Sequence, residues 1–233
     1  MIEVVFFDAG DTLLRPFPSF QELFATTCGR RGFEVDAEDV LAVRTRLAPH
    51  LVDLAEATGV ESPSLSPEDS RMFWTYLYRR FLQELGINDE PLVAELYEVF
   101  SSSASYKLFD DVVPTLNALS ERGMRIGLIS NFEEWLQRML VEMEIHEHFD
   151  TTVISGLEGV EKPDPKIYEV AVERAGVDPS HALHVGDSPA LDVEPATEVG
   201  MRAVLLDRFG AYPGRHELTV RTLEELPRVI EKL

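Results

Sequence analysis

The sequence predicts an α/β protein, a parallel-sheet core interrupted by an all-helical insertion, and three observations carry that expectation. Val4, Val5, Phe6 and Phe7 form a short apolar run of β-branched and aromatic residues, the pattern of a strand buried on both faces of a parallel sheet. From Asp111 onward apolar strands alternate with amphipathic helices, which implies right-handed crossovers and helices on both faces of the sheet. Between these regions, from Pro16 to about Ser105, the chain reads as helical throughout, with few β-branched runs. The expected division is therefore a core of residues 1–15 and 106–233 with a helical domain of residues 16–105 inserted into it.

The first strand ends in Asp8, and Ala9 and Gly10 offer a small, permissive turn after it. Asp8 should thus sit at the carboxyl end of a strand, where open α/β sheets place their ligands. In the insertion, Phe20, Leu23, Phe24 and Thr27 share one face of a first helix that Gly29 and Gly32 should end. Thr58 to Pro67 is a loop by composition. The next helix has Ser66 as N-cap, Pro67 at its first position, Asp69 three residues after the cap and Gly86 beyond its end. Its apolar stripe is Phe73, Leu77, Phe81 and Leu85, broadened by Met72, Trp74, Tyr78 and Leu82 as bundle core. A helix from about Glu90 to Phe100 and a linker from Ser101 to Ser105 complete the insertion.

The second part of the core reads as helix Val112–Arg122, strand Met124–Ser130, helix Glu133–Met143 and strand Thr151–Ser155. Helix Pro165–Ala175, strand Ala182–Val185, a short helix Asp192–Val199, strand Arg202–Leu206 and a C-terminal helix Leu223–Lys232 follow. Gly123 and Gly176 supply the stops of two of these helices.

A 45% hydrophobic content is ample for a core at this length. The single cysteine, Cys28, excludes an internal disulfide, and no charged segment with an apolar stretch precedes the first strand, so a cytoplasmic protein is expected. With 42 acidic and 21 basic residues the formal charge is -21, which repels nucleic acid and anionic membrane surfaces. An anionic small-molecule substrate would need a metal ion or a few placed cations to overcome that field. No residue pattern fixes the oligomeric state.

Polar residues suited to one anion and one metal gather at the expected strand ends. Ser130 and Asn131 end one strand with a hydroxyl and an amide able to donate to phosphate oxygens, and Lys162 precedes the helix at Pro165. Gly186 and Asp187 end another strand, with Asp192 five residues after Asp187. Carboxylates with few other charges suit Mg²⁺, a hard ion that keeps several waters. Singly, these residues have ordinary uses as caps, loop lysines and surface acids. In combination with Asp8, each at a strand end, they describe a site.

The spaced set DAGDTLL at Asp8, LISN at Ser130, KPDP at Lys162 and GDSPALD at Asp187 resembles the four motifs of the haloacid dehalogenase superfamily of hydrolases, over essentially the whole chain. The resemblance implies a Rossmann-like core with an inserted helical cap of the C1 type, and a Mg²⁺-dependent phosphatase working through an aspartyl-phosphate intermediate. It assigns Asp8 as nucleophile and metal ligand, Asp187 as a second ligand, Asp192 as a ligand or its support, and the backbone carbonyl of Gly10 as the third protein ligand. Ser130 and Lys162 would hold the phosphoryl group, with Asn131 beside them. The chain crosses between core and cap near Arg15 to Pro18 and near Ser101 to Lys107, and hinge motion is expected there.

One position departs from the pattern. Family phosphatases carry a second Asp two residues after the nucleophile as general acid and base, and here that position is Gly10, with Asp11 in the next place. The expected enzyme is therefore slow, unless Asp11 or a cap residue supplies the proton transfer. Two alternatives stay open: a metal-independent haloacid dehalogenase, since true dehalogenases of the superfamily also lack the second Asp, and a protein that binds a phosphorylated ligand without turnover. Periodicity does not say which of Arg44, Arg46, Arg71, Arg79 and Arg80 would face a substrate. His50, His146 and His148 read as surface or core filling, and His184 as a satisfied core residue.

Overall fold

The computed structural model describes residues 1–233 apart from the side chains of Pro49 and Val52. The chain divides into two compact units, Met1–Leu14 with Leu108–Leu233, and Arg15–Lys107, close to the breaks read from the sequence.

Strand β1 (Val4–Phe7) is buried along its whole length. A short strand β2 (Leu14–Pro16) follows. The helical unit then runs through α1 (Phe20–Arg30), α2 (Ala37–Leu47), α3 (Leu51–Thr58), α4 (Pro67–Glu84) and α5 (Glu90–Phe100). Its core gathers Phe24, Phe73, Leu77, Phe81, Leu96 and Phe100, with the rings of Phe20 and Phe100 stacked 4.9 Å apart. The start of α4 follows its sequence signals: the Ser66 hydroxyl accepts from the Asp69 N–H and donates to the Asp69 carboxylate. Met72 and Trp74 are a correction, because they are 45% and 39% exposed rather than bundle core. They lie outside the arc that Phe73, Leu77 and Phe81 turn inward, so adjacency to an apolar stripe did not make them part of it. Helix α1 also runs through Gly29 and ends at Arg30, and Gly32 beyond it takes the left-handed conformation.

Strand β3 (Tyr106–Leu108) pairs with β2 in a two-stranded sheet that the sequence did not announce, since neither segment is long or periodic enough to register. The core then proceeds through α6 (Val112–Glu121), β4 (Arg125–Ser130), α7 (Trp135–Glu142), β5 (Thr151–Ile154), α8 (Ser155–Glu158) and α9 (Pro165–Ala175). After these come β6 (Ala182–Gly186), α10 (Glu194–Glu198), β7 (Arg202–Leu206), β8 (Thr219–Val220) and α11 (Leu226–Ile230). The main sheet is parallel in the order β5-β4-β1-β6-β7-β8, a Rossmann-like arrangement with β1 at its centre.

Phe6 faces Gly127 across the β1–β4 ladder, and a Cβ at Gly127 would collide with the Phe6 ring, so glycine is what lets that ring lie against its neighbour strand. Asp192 was expected to open a helix and instead lies in a π-helical turn, Pro189–Val193, that precedes α10. Such one-turn widenings occur inside or beside helices at functional sites and carry no periodicity to read. The C-terminal helix is likewise shorter than expected: Leu223–Glu225 is a 3₁₀ turn opened by a Thr222–Glu225 capping box, and Pro227 stands in the first turn of α11.

Candidate active site

Asp8 follows β1 and is tied to the sheet by its N–H, which donates to the Val185 carbonyl at 2.9 Å. The carboxyl edge of the sheet brings three further segments to it. Ser130, the last residue of β4, donates its hydroxyl to Asp8 Oδ1 at 3.1 Å, and Lys162, from the loop before α9, donates its ammonium to the same oxygen at 2.7 Å. Among the described residues Asp8 Oδ2 has no hydrogen-bond partner, which leaves it as the open oxygen of the pair. Lys162 also donates to Asp192 Oδ1 at 2.7 Å, so one ammonium bridges two carboxylates, and all three groups are buried.

Asp192 is held from four sides. Besides Lys162, His184 Nε2 lies 3.1 Å from Oδ1, and the Ser188 N–H donates to Oδ2 at 2.9 Å. On the fourth side is Gly186, where a Cβ would run into the Asp192 carboxyl group, so only glycine admits this approach of turn to strand. His184 is buried as expected, yet it is not a satisfied core residue, because its Nδ1 has no partner. Its contact with Asp192 joins positions that nothing in the local sequence connects.

Asp187, half-buried, completes the cluster: one carboxylate oxygen from each of Asp8, Asp187 and Asp192 lies within 4.8 Å of the others. Asn131 was expected to face a phosphate. Its amide is instead committed to the main chain of Lys162, with Nδ2 donating to the Lys162 carbonyl at 2.8 Å and Oδ1 accepting from the Lys162 N–H at 2.7 Å. Asn131 therefore places Lys162, with one N–H of the amide and one lone pair committed to that main chain. In the turn after Asp8, Asp11 and not Gly10 takes the left-handed conformation, at φ 51°. An aspartate is among the few non-glycine residues that tolerate this region.

The cationic and histidine candidates of the helical unit lie on its surface. Arg46 pairs with Glu84, Arg71 with Glu98 and Arg79 with Glu90, while Arg80 donates to Gln83 and Arg44 stands over the Phe20 ring. His50 lies beside Asp53, and in the other unit His146 lies beside Glu147.

Three clustered carboxylates, two of them on one lysine, leave negative charge uncompensated. Burial, with the Asp192 charge adding to it, holds the Asp8 carboxyl above the usual range although Lys162 opposes the shift. Burial, then the charges of Asp8, Asp192 and Asp11, pushes Asp187 well above that range. Asp192 moves the other way, because against its burial it has the Lys162 ammonium and the His184 contact. Lys162 lies 2.7 Å from both carboxylates, and Asp192 has in addition the His184 contact, so the two titrate as one coupled site whose members shift in opposite directions. The donor set is all hard carboxylate oxygen, which fits a cation such as Mg²⁺.

Among models of protein families, that of the haloacid dehalogenase-like hydrolases matches residues 2–200. The chain belongs to this hydrolase family. Haloacid dehalogenase-like hydrolase domain-containing protein 3 of Homo sapiens is 31% identical over 210 residues, which is 88% of this chain and 82% of that protein. Glyceraldehyde 3-phosphate phosphatase of Methanopyrus kandleri is 31% identical over 214 residues, 89% of this chain and 85% of that protein. A crystal structure of 2-haloacid dehalogenase from Pseudomonas syringae pv. Tomato DC3000 is 26% identical with a TM-score of 0.63, covering 100% of this chain and 99% of that one. Within a haloacid dehalogenase-like hydrolase, Asp8, Ser130, Lys162, Asp187 and Asp192 thus form one constellation at the carboxyl edge of the sheet.

Proposed function

We propose that the protein is a Mg²⁺-dependent phosphomonoester hydrolase that forms an aspartyl-phosphate at Asp8. The observation that carries this reading is the gathering of the Asp8, Asp187 and Asp192 carboxylates within 4.8 Å of one another, with the Lys162 ammonium on two of them, Asp8 and Asp192. Asp8, Asp187, Asp192 and the Gly10 carbonyl would hold Mg²⁺, which supplies charge compensation for the carboxylates and for the phosphoryl oxygens. Asp8 would attack phosphorus through its open oxygen, the new bond replacing the one to the ester oxygen, which leaves as the alkoxide or phenolate and takes its proton from water; the Ser130 hydroxyl and the Lys162 ammonium, both on Asp8 Oδ1, are the donors for the transferred group's oxygens. Asp192 keeps Lys162 in place. The phosphatase-named relative supports the substrate class of phosphorylated small molecules.

Gly10 removes the proton-transfer group expected two residues after the nucleophile. General acid-base catalysis is worth ~10²- to 10⁴-fold, or roughly 3 to 5 kcal/mol of barrier, so breakdown of the intermediate is slow unless Asp11 substitutes. Asp11 lies close enough for its charge to act on Asp187, which makes it the residue to test. In a rapid-mixing experiment with Mg²⁺ and excess p-nitrophenyl phosphate, the expected result is a burst of one nitrophenolate per site followed by slow turnover. Asp8→Asn abolishes the burst. Asp11→Asn lowers the slow phase alone if Asp11 activates water, and leaves both phases unchanged if it does not. No nitrophenolate release above that of Asp8→Asn refutes hydrolysis through Asp8, and steady release without a burst refutes slow breakdown of the intermediate.

The likeness to a 2-haloacid dehalogenase, together with Gly10, favours a second reading, halide displacement from a 2-haloacid by Asp8. A carboxylate cluster of this kind has little purpose in metal-free chemistry, so this reading ranks below. Halide release that survives chelation would reverse the order.

A further inference from the structure

The Asp8 turn is gripped from a point far away in sequence. Arg208, two residues past β7 at the carboxyl edge of the sheet, donates from Nη2 to the Thr12 carbonyl at 2.8 Å. Its guanidinium is fixed in a fork by Asp111, at 2.8 Å from Nη1 and 2.9 Å from Nη2, and Asp111 also accepts from the Leu223 N–H at 2.8 Å. The pair is buried, with side chains 9% and 10% exposed. The same guanidinium stands 3.9 Å from the centroid of the Phe109 ring, and the Phe109 N–H donates to the Leu13 carbonyl at 3.0 Å.

The turn needs such anchors. Inside it, the Leu13 and Leu14 N–H groups both donate to the Ala9 carbonyl and the Asp11 N–H donates to the Leu14 carbonyl. These bonds close the turn on itself without fixing it to the core, and Asp11 within it holds a left-handed conformation that surrounding structure must maintain. The two carbonyls that lead out of the turn, Thr12 and Leu13, are taken by Arg208 and by the residue whose ring Arg208 covers. A planar fork serves both Asp111 oxygens and the Thr12 carbonyl in one fixed geometry, whereas a lysine, a point charge on a shorter stem, keeps the charge and loses the bidentate pair.

We propose that Arg208 is a positioning residue for the reaction at Asp8: the Arg208–Asp111 pair fixes the turn that carries Gly10 and Asp11, so its loss slows turnover more than it weakens substrate binding. The kinetic half rests on the hydrolysis reading above; the structural half does not.

The test uses the full chain in two variants. Arg208→Lys keeps the charge and loses the fork. Arg208→Met combined with Asp111→Asn removes both charges together, leaving no buried unpaired ion while keeping an acceptor for the Leu223 N–H. Hydrogen exchange, resolved by amide, is expected to quicken at least about tenfold at Leu13 and Leu14 in both variants, with the amides of β4 unchanged. With p-nitrophenyl phosphate and Mg²⁺, kcat is expected to fall about tenfold or more with KM within about threefold. Unchanged protection of Leu13 and Leu14 overturns the proposal. So does a uniform rise in exchange or failure of both variants to fold, since either assigns Arg208 to overall stability. An unaltered protein that releases no nitrophenolate sinks the hydrolysis reading instead, and the exchange data still decide the role of Arg208.

Discussion

Ser130 and Asn131 are adjacent in sequence and have different partners in the fold. The Ser130 hydroxyl reaches Asp8, while the Asn131 amide holds the main chain of Lys162 by two hydrogen bonds. Asn131→Ala should therefore act on the placement of Lys162. The expected result is a loss of about 1–3 kcal/mol in stability, read by denaturant unfolding, and a fall in kcat of roughly ten- to a hundred-fold. Inhibition by inorganic phosphate should change less than the turnover does. A phosphate affinity that collapses while stability is kept would return Asn131 to direct ligand binding. Asp8, Ser130 and Asp187 could be singled out because each lies at or just past the end of a strand, whereas Lys162 sits between α8 and α9 and Asp192 in a π-helical turn. The partnership of His184 with Asp192 was not legible, because a histidine in an apolar strand looks alike whether its ring meets a carboxylate or a leucine.

At the scale of elements, the regular strands and helices follow their patterns closely, and the irregular segments do not. Strand β1 and helices α5 and α9 coincide with their expected spans, since burial, caps and stops agree there. The π-helical turn that carries Asp192 has no such signature. It is pressed onto β6 at Gly186, where the absent side chain leaves room for the Asp192 carboxyl group. Gly186→Ala should push that carboxyl away from Lys162 and His184. The expected cost is about 1–3 kcal/mol, measured by thermal unfolding, with loss of the nitrophenolate burst. A variant as stable and as fast as the parent would show that the turn has slack the close approach does not reveal.

At the scale of the whole molecule, the excess of acid bears on stability. A formal charge of -21 repels itself, and the carboxylate cluster concentrates part of that cost in one buried place. Asp8 and Asp187 titrate above the usual carboxylate range in the folded protein, so between that range and their raised values the folded chain holds more protons than the unfolded one. Stability from this source is present at low pH and is lost as pH rises through the raised values. Asp192, shifted down, contributes the opposite sign, keeping its stabilisation until pH falls below the ordinary range. Mg²⁺ would remove the first cost, so its stabilisation of the protein should be larger near pH 8 than near pH 5, with protons released on binding. Melting temperatures with MgCl₂ or chelator at the two pH values check this. An equal shift at both, or none, would place Mg²⁺ elsewhere or exclude it.

The sequence by itself determined the α/β core, the helical insertion and the places of Asp8, Ser130 and Asp187 at strand ends, because periodicity, caps and stops are local and short-range physics reads them directly. Only the tertiary structure decided what those residues touch. Lys162 meets Asp8 and Asp192 across 154 and 30 positions, and Arg208 meets Thr12 across 196. Such contacts are fixed by the order in which the strands pair, β4 and β6 flanking β1 with β7 beyond, and a parallel sheet brings distant segments to one edge without leaving a mark on the residues between them.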